Sequence, residues 1–168
     1  MSGERSLNLK RLLLFLLMLV ICNSAAAKPP SNPGPIQFSS VVEPDFGVLQ
    51  GGPAGRDFIL TTSGTIGGAN AADYISGAVA GMVNIVADNN SSLDILATNL
   101  MADGGVTIVN VTCMYGNGPD MDCDQGFTGT GKKGHGEDMY IGLEINTTQV
   151  HGDNDTAAPS FDIVINYL

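Results

Sequence analysis

Residues 160–168 read S-F-D-I-V-I-N-Y-L. Phe161, Ile163, Ile165 and Tyr167 fall on alternate positions, with Asp162 and Asn166 on the other face. Period-two alternation carried by β-branched and aromatic residues marks a strand with one buried face. Pro159 sets its start, and neither Gly nor Pro interrupts it. A strand this apolar needs a sheet partner, or its edge recruits another chain. Two readings follow. One is a closing strand of a sandwich core. The other is an assembly edge formed by Phe161, Ile163, Ile165 and Tyr167.

Working outward, similar short apolar runs recur at 36–42, 46–49, 58–61, 74–76, 82–87, 93–100, 106–114 and 139–145. Turn-forming clusters separate them: Gly51-Gly52-Pro53, Ser63-Gly64, D-N-N-S-S at 88–92, and Asp103-Gly104-Gly105, a hairpin signal. Only 14% of residues are charged and 22 are Gly, a balance that suits short strands and many turns. Alanines in 71–86 favour a helix, but Gly77 and Gly81 each cost about 1 kcal/mol there, so the stretch reads as strands. The run 93–100 reads as a strand or as one or two helical turns. In 106–114, simple alternation puts Val106 and Ile108 on one face and Val109 and Val111 on the other. Residues 115–137 form a polar, Gly-rich excursion. About eight or nine short strands at this spacing imply an all-β fold, an immunoglobulin-like or pilin-like antiparallel β-sandwich.

Residues 1–27 have the makings of a signal peptide: a basic Arg5, Lys10 and Arg11 region, an apolar run over 12–22, and an Ala25-x-Ala27 cleavage site. The expected domain plan is therefore a signal peptide at 1–27, a Pro-rich leader at 28–35 and one β-sandwich domain at 36–168. Processing would leave 4 basic and 16 acidic residues, a net charge of −12. Such a field argues against nucleic acid and anionic membranes as partners. No further apolar run is long enough to span a membrane as a helix. Cys22 would leave with the signal, and the even pair Cys113 and Cys123 in an exported chain implies one disulfide.

The residues offer little chemistry. His135 and His151 are the available imidazole bases, both in Gly-rich loops where exposure is expected, and no G-x-S-x-G occurs. No catalysis is expected. Asp120, Asp122 and Asp124 form D-x-D-x-D, a pattern that can wrap Ca²⁺. An EF-hand would place Gly and Glu where Gln125 and Gly131 stand. His135, Glu137 and Asp138 could share a transition metal with His151 and Asp153 if the fold joins their loops. Gly126, Gly131 and Lys132 fit a phosphate-loop spacing, but Lys133 replaces the required Ser or Thr and no helix pattern follows. Lys132 and Lys133 read as a flexible tip.

Three motifs carry a family likeness: F-G-V-L at 46–49, L-T-T-S-G-T at 60–65 and V-I-N-Y at 164–167. Together they resemble the bacterial secreted domain of unknown function 4402, over roughly 36–168. That resemblance implies an envelope or surface β-sandwich of a Gram-negative bacterium, with no assigned reaction. The excursion between Cys113 and Cys123 departs from the family pattern. A looser resemblance, to chaperone–usher pilins, rests on the alternating last strand and penultimate Tyr167. It implies partner subunits and a periplasmic chaperone. Asp155 stands where those proteins have Gly, and the leader has few alternating apolar residues; both depart from direct donor-strand exchange. The expected function is an exported structural protein of the envelope or surface, a fimbria-like assembly subunit. The alternative is an extracellular module that binds carbohydrate or Ca²⁺ with the 115–137 loop.

Overall fold

The computed structural model describes Ser6, Leu7 and residues 33–152 and 155–168. Apart from Ser6 and Leu7, the expected signal segment lies outside the described residues, as do Asp153 and all of the leader before Pro33. In chain order the strands are β1 (Ser6–Leu7), β2 (Gln37–Val42), β3 (Val48–Gln50), β4 (Asp57–Leu60), β5 (Ile66–Gly67), β6 (Tyr74–Ser76), β7 (Gly81–Val86), β8 (Ser92–Met101), β9 (Val106–Tyr115), β10 (Asp120–Asp122), β11 (Phe127–Thr130), β12 (Glu137–Thr147) and β13 (Ser160–Tyr167). The fold is an all-β arrangement of antiparallel sheets packed face to face. Among the described residues no helix is long and apolar enough to cross a membrane.

The major sheet is organised on β12. One side of β12 pairs with β9 along its length. Its other side is shared: β7 takes Glu137–Ile141 and β4 takes the stretch from Leu143 to Asn146. Gly142 sits at the fork, where a Cβ would collide with the Leu60 carbonyl oxygen. Beyond these strands lie β10 on β9, β2 on β7, and β5 on β4. The second sheet runs β11–β8–β13, and a small sheet pairs β3 with β6 and β1.

Alternation builds the core between the two larger sheets. Phe161, Ile163 and Ile165 of β13 and Leu93, Ile95 and Ala97 of β8 are buried on one side. Met139, Ile141, Leu143 and Ile145 of β12 are buried in the same cluster. Each such aliphatic or aromatic burial stabilises the fold by roughly 1.5–3 kcal/mol. Phe46 is also fully buried, and Gly47 after it has φ +68 and lies against the Ser76–Gly77 backbone, where a side chain has no room.

Several expectations change. Val109 and Val111 do not share a face. The β9 register slips against β12 between Asn110 and Ile108, so Val109 is an extra, bulged residue and 49% exposed, while Val106, Ile108 and Val111 all point inward. The Asp103-Gly104-Gly105 turn forms, with φ +51 and +75 at its glycines and both hydrogen bonds between Asp103 and Val106. The strands it joins enter different sheets, so pairing stops at that bridge. Residues 93–100 are strand throughout, and the alanine-containing stretch has only a short 3-10 turn, Ala71–Asp73, before β6 and β7. The Gly-rich excursion contains two edge strands, β10 and β11.

Candidate functional site

The second sheet has two edges, each with a seam beside it: β11 lies against the β9–β10 hairpin of the major sheet, and β13 lies beside residues 33–36. At the first seam, β9 runs through Cys113 to Tyr115, turns at Gly116 with φ +59, and returns as β10 with Met121 opposite Cys113. The Cys113–Cys123 disulfide, fully buried, closes the root of this hairpin with Cα atoms 5.6 Å apart. A 3-10 turn, Cys123–Gln125, then Gly126 at φ +74, carries the chain across to β11 on the other sheet.

A cleft of about 490 Å³ opens between the hairpin and β11. Tyr115 and Phe127, each half-buried against the core, line it with their rings, beside the exposed Met121. The Tyr115 hydroxyl donates to the Thr130 carbonyl at 3.0 Å and so ties β9 to β11 across the seam. Burial raises the Tyr115 phenol above its ordinary value of 10.0. Gly129 lets β11 lie beneath this ring: a Cβ there would stand 3.2 Å from Tyr115 Cε1 and 3.0 Å from Ile95 Cδ1. Asn117, Thr128 and Thr130 supply exposed polar groups at the rim. Lys132 and Glu137 form an ion pair in the wall. Gly116 leaves room for that carboxylate, since a Cβ would come within 2.8 Å of Glu137 Oε1. Lys132 is thus paired rather than part of a free tip; its carbonyl also accepts from Ala87 N–H.

The acidic trio lies beside this cleft but does not converge. Asp120 and Asp122 are two residues apart on β10, about 7 Å along the strand, and Asp124 lies in the 3-10 turn. Asp120 accepts from Thr62 Oγ1 at 2.7 Å, Asp122 from Asn110 Nδ2 at 3.2 Å, and Asp124 from Gln125 Nε2 at 3.3 Å. Among the described residues no three His, Cys, Asp or Glu side chains gather as a metal site.

The histidines are far apart. His135 is exposed in the turn before β12, and His151 follows the opposite end of that strand, so no common site forms with Glu137 and Asp138. Contrary to the expected exposure, His151 is buried. Its backbone bridges Gly52, its Nε2 lies 3.4 Å from the Gly105 carbonyl and its Nδ1 3.8 Å from Asp155 Oδ2. Nearby Arg56, unmarked by any sequence motif, is also buried. It pairs with Asp73 at 2.7 Å, donates to the Gln50 carbonyl at 2.6 Å and lies 5.0 Å over the Phe58 ring. These contacts bind loops together at that end of the sandwich.

At the second seam, β13 pairs with β8 on one side, and along 163–167 no strand lies on its other side among the described residues. Leu168 N–H donates to the Ser92 carbonyl, which fixes the alternation. The backbone groups of Val164 and Asn166 then face β8, and those of Ile163, Ile165 and Tyr167 face the open edge. Their side chains do not: Phe161, Ile163 and Ile165 are buried in the core. The half-buried Tyr167 accepts from Asp88 N–H through its hydroxyl at 3.0 Å, and Asp88 Oδ2 accepts from Gly34 N–H at 2.7 Å. An apolar groove of about 190 Å³ lies between 33–36 and 165–167.

No protein-family model, curated protein or solved structure matches this chain.

Proposed function

We propose that the chain is an exported, non-catalytic structural protein of the envelope or cell surface, a subunit of a fimbria-like assembly. The observation that carries this reading is the β13 edge, with outward backbone groups at Ile163, Ile165 and Tyr167 beside an apolar groove. Such an edge takes an added strand from a second copy or another surface subunit. A periplasmic chaperone would cover it before assembly. The disulfide suits an oxidising compartment, and the expected signal segment and the resemblance to the secreted family point the same way. Hydrogen exchange tests the reading. In the isolated domain, the amides of Ile163, Ile165 and Tyr167 should exchange faster than those of Val164 and Asn166. In assembled material from the cell they should become protected, and Val164→Lys should abolish assembly while leaving the melting temperature nearly unchanged. Material from the cell surface that is monomeric, with those amides unprotected, would overturn it.

The cleft favours a second reading, an extracellular ligand-binding module that uses the 115–137 region.

A further inference from the structure

We propose that the cleft between the β9–β10 hairpin and β11 binds a neutral saccharide. This deepens the ligand-binding reading and is independent of assembly through β13. Three physical features point to that chemistry.

The first is charge. The cleft contains one cation, Lys132, and one anion, Glu137, paired with each other. Its wall therefore offers no net charge to a ligand. An anion would meet a chain of net charge −10 with its nearby lysine already neutralised. A cation would have to displace Lys132 from Glu137. A neutral ligand meets neither obstacle.

The second is the alternation of surface type. Tyr115 and Phe127 provide aromatic surface, and Met121 extends it. Around them stand the Asn117 amide, the Thr128 and Thr130 hydroxyls and the ion pair. A purely apolar ligand would strip water from these groups without replacing their hydrogen bonds. A sugar ring carries both an apolar C–H face for the aromatic rings and hydroxyls that donate and accept at its edge. Glu137 accepts from such hydroxyls, Lys132 donates to them, and Asn117 does both. A peptide added as a strand is less suited. β10 has three residues and β11 four, and Pro119, at the mouth of β10, has no N–H.

The third is fixed shape. A volume of about 490 Å³ lies within the range of about 300–1,000 Å³ usual for small-molecule sites. The disulfide holds the hairpin, the Tyr115–Thr130 hydrogen bond holds the seam, and Gly116 and Gly129 let the walls approach. A cleft formed before the ligand arrives loses less entropy on binding.

The test is a glycan array of neutral and anionic saccharides probed with the exported chain, followed by calorimetry on the strongest hit and, separately, on Ca²⁺. Asn117→Ala and Thr128→Val change exposed rim groups and should leave the melting temperature unchanged. Together they should weaken binding of a neutral glycan roughly tenfold, the loss of one or two hydrogen bonds. Glu137→Gln should weaken it and, by leaving Lys132 unpaired, relax the selection against anionic glycans. Binding confined to anionic glycans or to Ca²⁺ would overturn the neutral-saccharide assignment and leave the ligand-binding reading standing. Neutral-glycan binding that is indifferent to all three substitutions would place the site elsewhere and overturn the assignment of this cleft. No binding to any glycan or to Ca²⁺ at millimolar concentration would overturn both.

Discussion

The two edges of the β11–β8–β13 sheet are built in opposite ways. At the β11 edge a disulfide, a tyrosine hydroxyl and an ion pair secure the seam, and the exposed surface is mixed polar and aromatic. At the β13 edge, Tyr167 and Asp88 hold the leader residue Gly34 through two hydrogen bonds, and the remaining surface is backbone and an apolar groove. Both features lie at the same end of the sandwich, since Glu137 pairs with Ile85 and Asp88 follows β7. The proposed ligand cleft and the proposed assembly edge would use one sheet in two different ways. A seam that is already cross-linked suits a small ligand, because its shape is fixed in advance. An edge with unused strand hydrogen bonds suits a chain, because a chain supplies the missing partner.

The largest expected effect comes from the β13 side. Deleting residues 160–168 removes Phe161, Ile163 and Ile165, all buried. Each is worth roughly 1.5–3 kcal/mol against a typical total stability of about 5–15 kcal/mol. The truncated chain should be unfolded by circular dichroism at room temperature. A cooperative melt of that variant would show that β13 is an accessory to the sandwich.

Replacing both Cys113 and Cys123 by Ser should cost about 2–3 kcal/mol, the loop-closure value for a separation of 10 residues. The domain should still fold, with a lower denaturant midpoint. Hydrogen exchange should quicken in β10 and β11 and stay unchanged in β13. Intact mass after alkylation should show two blocked thiols in the parent protein only after reduction. Equal loosening at both edges would mean that the bond supports the whole core rather than one seam.

The smallest effects come from the two tyrosines. Tyr115→Phe frees the carbonyl of the exposed Thr130, which water can satisfy. Tyr167→Phe leaves the half-buried Asp88 N–H without its partner. Each change should cost about 1 kcal/mol or less, with Tyr167→Phe the larger. The Tyr115 phenol, raised by burial, adds a pH signature. Its contribution is full below pH 10.0 and is lost as pH rises through the folded-state value. Melting temperature should therefore fall above pH 10, and Tyr115→Phe should make that fall shallower. An unchanged slope in the variant would mean that the ring is solvated and the seam looser than the hydrogen bond implies.

How far the sequence reaches depends on what sets each feature. β13 was readable because its alternation is local and unbroken, and the Asp103-Gly104-Gly105 turn because two positive φ angles demand such residues. The facing of Val109 was not, because a bulge is decided by register against β12, more than 30 residues later. β10 and β11 escaped because short edge strands paired on one side need no long apolar pattern, and Gly129 interrupts the little that β11 has. The 115–137 region could be marked as a place of interest from its glycines and from Cys123, the partner expected for Cys113. Its cleft could not, since Tyr115 and Phe127 are isolated aromatics that meet only when two sheets pack. Buried Arg56 and His151 carry no local signal either: Asp73 and Gly105, which help to hold them, come from other loops.

The fork at Gly142 also governs the order of events in folding. Strands β4, β7 and β9 all use β12 as their neighbour, and β12 is the last of the four to be synthesised. A chain emerging from its N-terminus cannot close the major sheet until Thr147 has been made. Almost every pairing it then forms is between residues far apart in sequence, which slows folding. Until β12 is made, β4, β7 and β9 lack the common neighbour that joins them into the major sheet.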